Sequence, residues 1–413
     1  MEAVAITGVG VISPIGSDFE TFGRACADGV IGIGPAPYHG EPGAEHAWAA
    51  RVTDFDPDRW MDARVRDGSA RFAQFALAAS AQAMDHAFPD GGYDPERTGC
   101  VHGTSMAGIE VITASQHGLS TIGPEAVSRK LNIAAWPNMA GGQVALRFGL
   151  HGPLSTVSTA CASSADAIGL ACWMIEKGRA DVMLAGGSDA ALQPLTFHSQ
   201  AAYGMLKPIE DPRRASRPFD VARSGIVEGE GSAMVVLERA EHAAARGATV
   251  LGWVRGYASV AEAYHPSSPE PDGTWEKRVM RLALDDAGLQ PDDVDAIMAH
   301  GTATPVGDAA EARAINEVFA RGARREPVAV TSVKGHVGHS GGAANVTALA
   351  AGLWGMANGC LVPTAGTTEL DPVVRFRVPL GAPLPLAIDT LLVNGFGFGG
   401  QDSCLVVTRH PHT

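Results

Sequence analysis

The sequence contains no run of 18 apolar residues, so no membrane-spanning helix is expected. It contains no run of lysine and arginine, and its net charge is −14. That balance argues against nucleic acid as a bulk partner. Six cysteines, at positions 26, 100, 161, 172, 360 and 404, are scattered without any C-x-x-C pair. This is neither a disulfide framework nor a zinc site, and a cytoplasmic, reducing location fits. The opening Met1-Glu2, followed by Val4-Ala5-Ile6-Thr7, lacks the basic stretch of a secretory leader. A dinucleotide fingerprint is also missing. Gly8-Val9-Gly10 lies in a strand pattern, but Ser13 stands where the third glycine belongs and no helix pattern opens there.

What is present is size and apolar content. The 413 residues are 46% apolar, more than one compact core usually organises, so two similar halves are expected. Fifty glycines imply many tight turns and close backbone approaches. Strand patterns at 3–11, 100–104, 180–187, 232–237, 250–257, 294–299, 328–333, 391–394 and 404–408 alternate with helix patterns at 71–86, 137–148, 275–287 and 343–357. Parallel α/β layering is favoured by that alternation. Residues 32–56, rich in Pro, Gly and His, are expected to be surface loop, and 211–218 an exposed basic loop.

The clearest local signal is Val157-Ser158-Thr159-Ala160-Cys161-Ala162-Ser163-Ser164. A small, β-branched run ends at Cys161. Apolar residues then recur at helical spacing at Ile168, Leu170, Ala171, Met174 and Ile175. Cys161 is thereby placed at a strand-to-helix turn, where unpaired N–H groups and the helix dipole favour thiolate over thiol. Taken alone, the residue is as well explained as a small buried apolar side chain. Two histidines, His300 and His339, occupy glycine-flanked strand exits. Zinc held by His300, His336 and His339 is disfavoured, because no Cys or carboxylate stands beside them at ligand spacing. His336 is expected in variable surface or loop. Each half carries a reactive residue before a small-residue helix: Cys161 before Ala162-Ser163-Ser164, and His339 before Gly341-Gly342-Ala343-Ala344. The pattern suggests a duplicated unit with one site between the copies.

Four separated stretches resemble the β-ketoacyl-[acyl carrier protein] synthase family. They are the Cys161 turn, the run from His300-Gly301-Thr302-Ala303-Thr304 through Asp308 to Glu311, Lys334 with Gly338-His339, and Asn394-Gly395-Phe396-Gly397-Phe398-Gly399-Gly400. Their order and spacing match, and the similarity runs from Val4 to Val407. The resemblance implies the thiolase fold, an α/β architecture of two duplicated halves forming a five-layered α-β-α-β-α core. Residues 1–249 would form the half with the nucleophile, and 250–413 the half with both histidines.

The resemblance also implies a two-stage reaction. Cys161 would take an acyl chain from a carrier protein as a thioester. Malonyl-carrier protein would then lose CO₂, and its carbanion would attack that thioester. Neutral His300 and His339 would stabilise the enolate, and backbone N–H groups of Cys161 and Phe398 would form the oxyanion hole. Lys334, with Glu311 as partner, would hold a carboxylate network and orient His300. Asp308, Thr302 and Thr304 would support that network. Phe398 would gate malonyl entry, and Met106 and Phe396 would line the acyl pocket. No metal and no cofactor are implied.

An acidic carrier needs local basic docking residues on this acidic chain. Arg64, Arg66, Arg129, Lys130, Lys207, Arg213 and Arg214 are the candidates. A homodimer, or a heterodimer with a chain-length-factor type of homologue, is expected. Three departures stand out: a shortened segment at 131–137, Ala348 where a glutamate often meets the lysine, and Met106 in a less glycine-rich turn. They hint at a type II polyketide or polyene intermediate over housekeeping fatty acids. Two other readings are a non-catalytic chain-length-factor-like subunit, disfavoured by Cys161, His300 and His339, and a thiolase acting on acyl-CoA, which would need a second catalytic cysteine. Cys404 is expected to be a buried structural residue instead.

Overall fold

The computed structural model describes residues 1–206, 209–320 and 326–411. The first half runs β1 (Val4–Ile12), α1 (Phe19–Ala27), β2 (Ile33–Pro35), β3 (Trp48–Ala50), α2 (Ala63–Arg66), α3 (Arg71–Ala87), β4 (Thr98–Gly103), α4 (Ile109–Thr121), α5 (Leu131–Ala134) and α6 (Met139–Phe148). It continues with β5 (Leu154–Val157), α7 (Ser163–Glu176), β6 (Val182–Asp189), α8 (Pro194–Ala202), β7 (Glu228–Gly229), β8 (Gly231–Arg239) and α9 (Ala240–Ala245). The second runs β9 (Gly252–Ala261), α10 (Thr274–Ala287), β10 (Ala296–Met298), α11 (Pro305–Val318), β11 (Ala329–Thr331), α12 (Lys334–Val337) and α13 (Ala344–Asn358). It closes with the ribbon of β12 (Cys360–Leu361) and β13 (Leu384–Pro385), then β14 (Thr390–Gly397) and β15 (Gln401–Thr408).

Ten strands are hydrogen-bonded in the order β5-β4-β6-β8-β1-β9-β15-β14-β10-β11. The sheet is mixed, which corrects the parallel expectation. On one side β5, β4 and β6 are parallel while β8 and β1 are antiparallel additions. On the other, β11, β10 and β14 are parallel while β15 and β9 are antiparallel additions. The two sides therefore repeat one five-strand pattern in one chain order, and they meet where β1 pairs with β9. Alternation along the sequence revealed the βαβ units but not the strands that join the sheet without a crossover helix.

Two helices lie between the sides. The buried helix α7 packs on β4 and β6 of its own side and on β15 and β9 of the other, and α13 packs on β14 and β10 and also on β8 and β1. Outside them α3 covers β1 and β8, and α10 covers β9 and β15. This is the five-layered arrangement of the thiolase fold. The outer packing is close enough to require glycine. A Cβ on Gly8 would lie 2.2 Å from the Ala83 carbonyl oxygen of α3, and one on Gly256 2.3 Å from the Ala283 carbonyl oxygen of α10.

Residues 32–56 are not simply surface loop. They supply β2 and β3, which form a three-stranded sheet with β7. Ala47, Ala49 and Ala50 are buried there, so small residues that looked like loop filler are a packed interface. No helix among the described residues is long and apolar enough to cross a membrane.

Candidate active site

Cys161 sits in a short 3₁₀ turn between β5 and α7. Ala160 before it takes a left-handed φ of 49°, a conformation that costs a non-glycine residue on the order of 1 kcal/mol or more. The surroundings hold the turn in place. Asp166, on α7, accepts from the Thr159 hydroxyl at 2.5 Å and from the Tyr257 hydroxyl of β9 at 2.7 Å, and also from Ser403 of β15. The β14 end presses against the same turn. A Cβ on Gly397 would lie 2.6 Å from the Thr159 carbonyl oxygen and 3.3 Å from the Cys161 nitrogen. Only a glycine there lets the Phe398 backbone reach the sulfur.

The second half delivers the histidines. His339 Nε2 lies 3.0 Å from Cys161 Sγ. His300 faces His339 edge to face, with ring centroids 5.5 Å apart. Cys161, His300 and His339 each bring one donor atom within 4.8 Å of the other two. Burial, reinforced by the Lys334 charge, pushes His339 down to about 3 and His300 well below its ordinary value, so both imidazoles are neutral near pH 7.

Cys161 departs from the thiolate expectation. Lys334 and the N–H groups of Phe398 and Cys161 favour the anion, but burial outweighs them and pushes the thiol up to about 11. At neutral pH the sulfur therefore rests protonated against a neutral imidazole.

Lys334 and Glu311 each favour the other's charge, as expected of partners, but make no direct ion pair. They meet on the backbone of His300. The Lys334 ammonium donates to the His300 carbonyl. Glu311 accepts from the N–H groups of His300 at 2.8 Å and Gly301 at 2.7 Å, and from Asn394 Nδ2 at 3.1 Å. Burial lowers Lys334 to about 8. Ala348 is buried in α13, and the carbonyl of His300 takes the ammonium instead of a glutamate there. Asp308 holds the loop after His300, accepting from Ala303 N at 3.0 Å and Phe219 N at 2.7 Å. Thr304 caps α11, and its hydroxyl lies 2.9 Å from that of Thr302.

Two cavities meet at the sulfur. The first, about 380 Å³, is lined by Cys161, His300, His339, Thr302, Thr304 and Phe398. The second, about 570 Å³, shares Cys161, His339 and Phe398 and is walled by Met106. Phe396 lines only the first, against the His300 ring at a centroid distance of 5.6 Å, which corrects its placement in an acyl pocket with Met106.

Comparison with known proteins gives matches over nearly the whole chain. The family profile described as "Beta-ketoacyl synthase, N-terminal domain" matches residues 1–243, and "Beta-ketoacyl synthase, C-terminal domain" matches 251–368. The chain belongs to the β-ketoacyl synthase family. This synthase is 36% identical over 410 residues to 3-oxoacyl-[acyl-carrier-protein] synthase 2 of Synechocystis, covering 98% of each chain. Among solved structures it superposes on the ishigamide ketosynthase/chain length factor with a TM-score of 0.90 at 32% identity, covering 99% of each chain. It also superposes on a type II polyketide ketosynthase in complex with its acyl carrier protein, with a TM-score of 0.90 at 30% identity, covering 98% of this chain and 99% of that one.

The synthase's basic candidates divide. Arg64 and Arg129 are exposed and Lys130 is half-buried, its stem reaching the vicinity of Gly68 just after α2. Arg66 is engaged by Asp58 at 2.5 Å and Asp67 at 2.9 Å. Arg213 is exposed but leans on Asp211. Arg214 is tied into the fold, donating at 2.7 Å to both the Gly366 carbonyl and the Thr368 hydroxyl, which removes it from a free docking surface. Lys207 lies outside the described residues. His336 is a correction of another kind. It is fully buried, with Nδ1 at 2.7 Å from the Val30 carbonyl and Nε2 at 2.8 Å from the Pro363 carbonyl. Cys404 is buried.

Sequence reasoning missed Asp189. At the end of β6 its carboxylate accepts from the Thr104 hydroxyl at 2.9 Å, from Ser105 N at 2.9 Å, from Met106 N at 3.0 Å and from Gly342 N at 2.5 Å. It ties the turn before α13 to the turn after β4, and no sequence motif marks it.

A buried carboxyl triad was also missed. Glu262, Glu276 and Asp402 bring oxygens within 4.8 Å of one another beside the first cavity. Burial pushes Glu276 up to about 8 and raises Glu262 and Asp402; repulsion from Glu262 adds to Glu276, and repulsion from Glu262 and Glu276 adds to Asp402. Carboxyls raised on folding give stability that is full below their unfolded values near ~4 and is lost as pH rises through the folded values. Asp402→Asn is thus expected to lessen the fall in Tm between pH 6 and pH 9. Thermal melts across that range decide it, and an equally steep fall in the variant would show that Asp402 is not protonated.

Proposed function

We propose that this chain is a β-ketoacyl-[acyl carrier protein] synthase that extends a carrier-bound acyl chain by decarboxylative Claisen condensation in type II polyketide or fatty acid synthesis. The observation that carries this reading is one cysteine sulfur against two neutral imidazoles at the junction of two cavities. One cavity is needed for each substrate arm.

In the first stage Cys161 attacks the thioester of an acyl-carrier protein. Its proton passes to His339 Nε2, 3.0 Å away, and on to the departing pantetheine sulfur. A thiol held near 11 is then no obstacle, because no free thiolate has to accumulate. The carbonyl oxygen turns toward the N–H groups of Cys161 and Phe398. In the second stage the bond from malonyl carbon to its carboxylate breaks and CO₂ leaves. The electron pair becomes an enolate whose oxygen takes an imidazole N–H donor from His300, and a second from His339 once its single proton has returned to Nε2. The enolate carbon bonds to the acyl carbon, the bond from that carbon to Cys161 Sγ breaks, and the departing thiolate takes up one proton from solvent to restore the thiol. Neutral imidazoles suit this role, since each keeps an N–H without repelling Lys334. Lys334, Glu311 and Asp308 position His300, Thr302 and Thr304 line the pantetheine approach, and Phe398, 43% exposed, gates it. Residues 1–249 and 250–413 act as the two thiolase-like units.

Carrier docking is assigned to Arg64, Arg129 and Lys130, with Arg213 as a further contact. Dimerisation is assigned to the β5 edge. That strand ends the sheet, its Leu154 is half-exposed, and Leu146 of the adjoining α6 and Trp136 before it are exposed. The partner is a second copy or a homologous subunit, and the location is cytoplasmic.

Incubation with acyl-carrier protein or acyl-CoA, followed by intact-mass measurement, tests the reading. The carrier-bound donor is expected to add its acyl mass to the protein, and malonyl-carrier protein to discharge it. Charging from acyl-CoA with no response to malonyl-carrier protein would favour a thiolase. No charging from either would favour a non-catalytic subunit.

A further inference from the structure

Asp166 is a buried acid that the reaction steps above do not use. It stands in the first turn of α7, 6% exposed, and no cation pairs with it among the described residues. Its two oxygens instead take three hydroxyls from three separate segments. Oδ2 accepts from Thr159, two residues before Cys161, at 2.5 Å. Oδ1 accepts from Tyr257 of β9 at 2.7 Å and from Ser403 of β15. Thr159 belongs to the first half of the chain, Tyr257 and Ser403 to the second. Packing alone gives no reason for a carboxyl here, because burying one costs free energy that an apolar side chain would not.

Both ends of this tie lead to the N–H groups that face the sulfur. The N–H of Cys161 lies on the elbow that Thr159 opens, just past the strained Ala160. The N–H of Phe398 lies on the turn that joins β14 to β15. Ser403 pairs with Gly395 of β14, and Gln401 with Gly397, so the start of β15 fixes where that turn stands. A shift of Thr159 relative to Ser403 therefore changes the separation of the two N–H donors. Tyr257 stiffens the tie, since its ring lies so close to α7 that a Cβ on Gly169 would be 2.4 Å from it.

Resting on the synthase reading above, we infer that Asp166 is a positioning residue that sets the spacing of the two oxyanion-hole N–H groups, one from each half of the chain. The tie needs two acceptor oxygens. A carboxylate has both, and an asparagine amide has one. Asp166→Asn therefore loses either the Thr159 bond or the bonds from Tyr257 and Ser403, whichever way the amide turns. Donors displaced by ~1 Å lose about 10²-fold of their effect on a developing oxyanion. The sulfur itself stays against His339 Nε2.

The test compares two reactions of that sulfur. Charging from butyryl-, octanoyl- and palmitoyl-carrier protein, read by intact mass, needs the oxyanion hole. Alkylation of Cys161 by iodoacetamide, read by peptide mass, displaces iodide and forms no oxyanion. In Asp166→Asn the saturating charging rate is expected to fall ~10- to 100-fold at an unchanged half-saturating carrier concentration, while alkylation stays near the wild-type rate. Thr159→Val is expected to show the same split, and it decides the matter if Asp166→Asn does not fold. Thr159→Ser, which keeps the hydroxyl, is expected to recover most of the loss. Charging at the wild-type rate in either Asp166→Asn or Thr159→Val overturns the inference. So does alkylation that falls in step with charging, which would make the tie a support for the sulfur or the fold alone. Failure of all three carrier-bound chains to charge wild type would instead overturn the synthase reading.

Discussion

Cys161→Ala is expected to abolish acyl transfer and condensation, with a loss on the order of 10⁴-fold or more, as when other enzymes lose their nucleophile. The fold should survive, because the residue is half-buried and alanine keeps its Cβ. Cys161→Gln should behave differently. The glutamine amide oxygen can take the place of the thioester carbonyl oxygen, facing the N–H groups of residue 161 and Phe398. The first cavity and both histidines stay intact, so malonyl-carrier protein should still release CO₂. Product formation and CO₂ release, measured separately, check both halves of this result. A Cys161→Ala protein that still forms β-ketoacyl product would remove the sulfur from the mechanism.

The second large effect separates the two histidines. His339 touches the sulfur, whereas His300 lies across the chamber, its backbone held by Glu311 and Lys334. His300→Ala should therefore charge with acyl chain much as wild type does. It should lose decarboxylation, and with it condensation, by ~10²- to 10³-fold, the usual effect of removing one anion-stabilising donor. His339→Ala should impair both stages. Intact mass reports charging, and CO₂ release reports the second stage. If His300→Ala decarboxylates at the wild-type rate, His300 is not a donor to the enolate.

Much of the local chemistry was legible in the sequence. A β-branched run, a cysteine and a small-residue helix define the Cys161 turn by nearest-neighbour geometry alone. The glycines around His300, His339 and Phe398 announce backbone that must turn sharply or approach closely, and helix α3 appears almost to its ends. Such features depend on interactions within a few residues. Resemblance then supplied the order of the halves.

Other features depended on partners far apart in the chain. Nothing near position 334 indicates that its ammonium would bind the carbonyl of His300, 34 residues upstream. Nor does a lone Asp189 or Asp166 reveal a clamp between halves, since each draws its donors from several distant turns. His336 looked like loop because its flanks are glycine-rich, but its two carbonyl partners come from Val30 and Pro363. The thiol state of Cys161 followed the same rule. Helix position, which sequence can show, favours the anion, whereas dehydration by the opposite half, which it cannot, decides the outcome. The sequence by itself determined which groups are the candidates for the chemistry and on which turns they stand. Only the tertiary structure decided their charges, their positioning partners and the walls of the two cavities, because burial and long-range hydrogen bonding exist only once the halves are packed together.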